Sequence, residues 1–106
     1  MTNVVLVLTT VPEGDLGETI ARTLVEERLA ACVNVGAPMT SIYRWQGIVE
    51  REVERQVVIK TTSERVAAVQ ARISELHPYE LPEFVVITVV DGGREYLAWI
   101  SDSCIG

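Results

Sequence analysis

The sequence predicts an α+β domain of the ferredoxin-like type, ordered β-α-β-β-α-β, with a C-terminal helix and one overlong central β-hairpin. Three observations carry this reading. "VVLVL" at 4–8 and "FVVITVV" at 84–90 are short, mostly β-branched apolar runs, the pattern of strands covered on both faces. Two amphipathic stretches separate these runs from the middle of the chain. That middle, "TSIYRWQGIVEREVERQVVIKTT" at 40–62, is far longer than the strands it would pair with. Two βαβ-type halves with helices on one face of an antiparallel sheet make the ferredoxin-like sandwich.

Each element follows from local chemistry. The first strand runs into "PEG", which breaks it. Asp15 is placed to cap the first helix, with Glu18 three residues on to complete a capping box. Leu16, Ile20, Leu24 and Val25 then form its apolar side, and Glu18, Arg22, Glu26 and Glu27 its wet side, to about Leu29. "AACVNVG" reads as a short strand ending at Gly36 and Pro38, where a bend or bulge is expected. Val49, Val53 and Val57 fit a period of four as well as a period of two, but the β-branched run "VVIKTT" favours a strand. Gln46-Gly47 supplies the hairpin turn. Ser63 is placed to cap the second helix, with Val66, Val69, Ile73 and Leu76 on its apolar face. That helix ends at His77, because the residue before Pro78 is pushed out of the α region. "EFVVITVVDGG" is the second buried strand, and Tyr96, Leu97 and Ile100 mark a short last helix.

Composition narrows the function. A chain of 106 residues makes one domain, spanning 1–106. With 48% hydrophobic and 23% charged residues it is globular, and rich enough in apolar surface to suggest a partner subunit. A formal charge of −6 and a pI near 4.7 argue against nucleic acid as a partner, since that affinity rests on Lys and Arg. No apolar run approaches the roughly 20 residues that span a bilayer. No basic, small-residue leader precedes "NVVLVLT", so a cytosolic, membrane-free location is expected. Cys32 and Cys104 form no CxxC pair and are expected as free thiols. The surplus of the hairpin, carrying Tyr43, Trp45 and Val49, would project from a small domain as an apolar ribbon, so a symmetric oligomer built through it is expected.

Five motifs, "LVEERLAACVNV", "SIYRWQGIVERE", "VVIKT", "HPYELPE" and "YLAWI", stand in the order and spacing of the CutA divalent-cation tolerance family, which the chain resembles over Val4 to Ser101. The resemblance implies a homotrimer whose long hairpins wrap neighbouring subunits. It also implies a link to copper or another divalent metal ion, and an architecture like that of the PII signalling proteins, which bind small ligands between subunits.

The candidate site residues fall into two groups. His77 and Cys32 are the candidate metal ligands: imidazole is the commonest ligand near neutral pH, Glu80 and Glu83 could add oxygen, and a thiolate suits copper(I). Against this, His77 at the end of its helix reads first as a structural terminus, Cys32 as a small buried hydrophobe, and Cys104 as incidental. The second group is a polar pocket in which Lys60, closing "VVIK", and Glu83, opening the last strand, would face each other, with Trp45 or Tyr79 as an aromatic wall. Its structural alternative is a buried salt bridge. The charges of "VEREVER" read as alternating cross-strand pairs. One histidine, no nucleophile elbow and no paired acid and base leave enzymatic catalysis without a constellation.

Overall fold

The computed structural model describes residues 2–105. Strand β1 (Val4–Pro12) is followed by α1 (Leu16–Glu26), the hairpin strands β2 (Cys32–Trp45) and β3 (Ile48–Thr62), α2 (Val66–Leu76), β4 (Val85–Thr88) and α3 (Arg94–Ser103). The strands form one antiparallel sheet in the order β2-β3-β1-β4, the arrangement expected of the ferredoxin-like sandwich.

Parity along β3 decides what is buried. Val57, Ile59 and Thr61 point to the helix side, where they meet Val5, Val7 and Val11 of β1, Ile20 and Leu24 of α1 and Val69 and Ile73 of α2. α1 comes so close to β2 that a Cβ on Gly17 would lie 2.9 Å from Val35 Cγ1. Ile100 of the last helix and Cys104 just past its end form a second, smaller cluster with Val4 and Ala31. The even residues of β3, from Glu54 to Lys60, face the opposite side of the sheet, away from α1 and α2, and at its Lys60 end this side meets Tyr96 of α3.

The hairpin turns through Gln46 (φ 50°) and Gly47 (φ 82°), a two-residue loop with both dihedrals positive, which matches the right-handed twist of the strands it joins. The expected bulge is present. Register passes from Val35↔Val57 to Pro38↔Arg55, three steps on β2 against two on β3. One extra residue reverses every later side chain of β2 to the other face. Met39, Ser41, Tyr43 and Trp45 therefore lie on the open face, opposite Glu54, Glu52, Glu50 and Ile48.

Several local expectations are corrected. β1 runs to Pro12, where "PEG" was expected to break it, and it pairs with β3 that far, to Glu54. No side-chain cap bond forms at Asp15; its carbonyl accepts from the Thr19 amide and hydroxyl instead. The first helix ends at Glu26, and the chain reverses at Arg28, which takes φ 59°. Ser63 opens a 3-10 turn (Ser63–Arg65) instead of capping α2, and its hydroxyl turns to Glu64. Helix α2 ends at Leu76, and His77 is already extended (ψ 134°). β4 is a four-residue edge strand whose Val85, Val86 and Ile87 are all more than 40% exposed in the single chain, so the second apolar run is not a buried strand there. Among the described residues the run "VEREVER" makes no cross-strand ion pairs: its charged residues stand opposite Pro38, Met39, Ser41, Ile42 and Tyr43 of β2, and Arg44 stands opposite Val49.

Candidate functional site

A groove of about 930 Å³ lies on the open face, between the trunk of the hairpin and the connector "HPYELPEF" that joins α2 to β4. The connector is held there by His77. β4 stops pairing with β1 at Leu8↔Val85, so the carbonyl of Thr10, farther along that edge, needs another donor. His77 Nε2 lies 2.6 Å from it. A carbonyl only accepts, so Nε2 carries the proton, and Nδ1 in turn accepts the Tyr79 N–H at 3.1 Å. The ring is neutral, 8% exposed and engaged at both nitrogens, which leaves no lone pair for a metal. His77 is thus a structural anchor rather than the ligand first considered.

The turn fixed by His77 sets Tyr79 against the groove, with its ring 4.5 Å from the imidazole and its hydroxyl donating to Glu54 Oε2 at 2.9 Å. Burial, together with the bond to Glu54, pushes the Tyr79 phenol well above its ordinary value. Tyr43 is also raised, by burial and by the charges of Glu52, Glu50 and Glu54. Glu83 enters at the start of the last apolar run and accepts from Gln56 Nε2 (3.2 Å), while the same amide group donates to the Thr9 carbonyl (2.6 Å). Trp45 forms part of the wall near the hairpin tip.

Trp45, Tyr79 and Glu83 therefore share one groove, but Lys60 does not join it. Lys60 is level with Leu6 and Cys32, whereas Glu83 is held by Gln56, which is level with Thr10. Four residues of strand, about 13 Å, separate those positions. Lys60 instead donates to the Tyr96 hydroxyl (3.2 Å) and lies 5.6 Å from the centre of that ring. Cys32 is half-buried on the same open face beside Lys60, far along the sheet from His77. Cys104 is buried, its sulfur 3.6 Å from Thr61 Oγ1, and both cysteines are free. Among the described residues no three His, Cys, Asp or Glu side chains converge as a metal site.

Sequence reasoning missed Glu54, the most buried carboxylate of the groove. It lay within a charge run that reads as a solvated ribbon. The connector that covers it is more than twenty residues away in sequence, so no local spacing signals the contact. The position of Tyr43 and Trp45 on this face depends on the bulge, which the glycine and proline at 36 and 38 do signal.

Comparison with known proteins places the chain. Residues 5–103 match the family model described as "CutA1 divalent ion tolerance protein". A divalent-cation tolerance protein CutA of Thermus thermophilus is 47% identical over 98 residues, covering 92% of this chain and 95% of that protein. The solved structure of CutA from Xylella fastidiosa superposes with a TM-score of 0.94 at 43% identity, over 98% of this chain and 100% of that one. A structure described as the PII-like protein CutA from Nostoc, in apo form, gives 0.88 at 44% identity, over 95% and 97%. The fold is thus shared with these relatives, and the chain is a member of the CutA1 divalent ion tolerance family.

Proposed function

We propose that this chain works as a non-catalytic homotrimer in the cytosol, binding a small ligand in the groove between hairpin and connector and contributing to divalent-cation tolerance through that binding. The observation that carries the reading is the groove itself. It is of ligand size, and its lining comes from four separated segments, 10–12, 39–45, 52–56 and 79–85. The trimer rests on the uncovered apolar surface of the hairpin and of β4, which a monomer would leave in water. The PII-like description of the Nostoc relative supports a signalling role of this kind. Nucleotides are poor candidates here, because the groove holds carboxylates and no basic side chain. A thermal-shift screen of metabolites tests the reading: a ligand at about a hundred times its Kd adds roughly 2.7 kcal/mol of stability. A hit abolished by Tyr79→Ala supports it, and hits unaffected by that change place the ligand elsewhere.

Direct copper binding is the second reading, and Cys32 favours it. Its thiol is half-buried on the face that copies of the chain would share, so a site completed between subunits could take copper or another divalent metal ion. Stoichiometric copper binding lost in Cys32→Ser would support this, and binding unchanged by that substitution would remove Cys32 from it.

A further inference from the structure

We infer that the groove is selective for a small organic cation, one carrying a guanidinium or ammonium head on an apolar body. The inference rests on the ligand-binding reading above and assigns the chemical class of the ligand.

Four carboxylates, Glu52, Glu54, Glu80 and Glu83, line the groove, and no lysine, arginine or histidine does. None of the four takes part in a salt bridge among the described residues, where the ion pairs are Arg22–Glu18, Arg72–Glu27 and Arg72–Glu75. Their charge is therefore uncompensated by the protein. Its field is felt by the groove's own phenols, since Glu52 and Glu54 both contribute to the upward shifts of Tyr43 and Tyr79.

Glu54 places one free acceptor at the groove. The residue is 7% exposed, yet only its Oε2 is engaged, by Tyr79; Oε1 accepts no hydrogen bond among the described residues. No buried side-chain oxygen or nitrogen lacks a partner among the described residues, so the free Oε1 opens to the groove, where a donor entering it could bind.

The shape of the donor follows from the rest of the lining. A bare divalent ion needs several ligand atoms converging on one point, and the described carboxylates do not converge. Trp45 and Tyr79 offer aromatic faces, on which guanidinium groups stack and ammonium groups are attracted by the ring quadrupole. Carboxylates distributed around aromatic walls suit a delocalised or bulky cation, and the apolar portion of the groove around Phe84 and Leu81 suits its carbon body.

The test uses the full-length chain carrying Trp99→Phe, which leaves Trp45 as the only indole. Its fluorescence is titrated with butylguanidinium and with butylurea, a neutral compound of the same shape. The expected result is a saturable change with butylguanidinium at least tenfold tighter than with butylurea, weakened tenfold or more by the isosteric Glu54→Gln. Glu83→Gln, at a less buried position, serves if Glu54→Gln fails to fold. Equal response to the two compounds, or a response unmoved by both substitutions, overturns the inference. If a neutral or anionic metabolite perturbs Trp45 while butylguanidinium does not, the groove remains a ligand site and the cation assignment is wrong. If Trp45 is silent to every compound and shielded from acrylamide, a second copy of the chain fills the groove, which overturns both the cation and the groove.

Discussion

The two ends of the β2–β3 hairpin have the same backbone and opposite fates. At the base, Val57 and Ile59 are completely buried beneath α1 and α2. At the tip, Ile42 and Val49 are 70% and 61% exposed, although they continue the same helix-side face. The ribbon outruns the helices, giving the chain a long axis of 44 Å against 26 and 23 Å. The base is thus a conventional core that explains why one chain folds. The tip is apolar and, among the described residues, has no partner inside the chain, which is the ground for the proposed assembly. The groove lies on the open face between the two.

Substitutions at the two ends should therefore differ in kind. Ile59→Ala, which opens a cavity in the core, is expected to cost about 2–5 kcal/mol of subunit stability in urea denaturation. A loss below 1 kcal/mol would show that the base is not the rigid half. Tyr79→Phe comes next, at about 1–3 kcal/mol, because it leaves the buried Glu54 carboxylate without its donor.

The same residue sets a pH signature. The Tyr79 phenol titrates higher in the folded chain than the pH of about 10 typical of an unfolded tyrosine. Its contribution is therefore fully present below that pH and is lost as pH rises through the folded value, since the unfolded state gives up the proton first. Denaturation midpoints measured from pH 8 to 11 should fall more steeply above pH 10 in the natural chain than in Tyr79→Phe. Gly47→Ala is a smaller perturbation, about 1 kcal/mol, from forcing a side chain into the φ 82° turn. Smallest of all for the subunit fold is the pair Ile42→Ser and Val49→Ser, each within about 0.5 kcal/mol as exposed changes. Those two should nevertheless weaken association strongly, which sedimentation at graded concentration would reveal.

How far the sequence could be read follows the same division. The core was legible because its periodicities are local: period two at 57–61, helical spacing at 16–24 and 66–76, a glycine turn at 46–47. The caps at Asp15 and Ser63 were misread, because local side-chain geometry depends on where the previous strand delivers the chain. β4 was misread as buried because an apolar β-branched run looks the same whether the chain or a partner covers it. At the site, Trp45, Tyr79 and Glu83 were found from residue type and position, but Lys60 was grouped with them on the assumption that two strand ends coincide. The register places them about 13 Å apart. Both roles of His77 were weighed, and the choice needed the Thr10 carbonyl, 67 residues away.

If copies of the chain cover the hairpin tip, native mass spectrometry of the 106-residue chain at micromolar concentration should show a single species at three times the 11.7 kDa chain mass, which dissociates when Ile42 and Val49 are both replaced by serine. A stable monomer of the natural chain would contradict it.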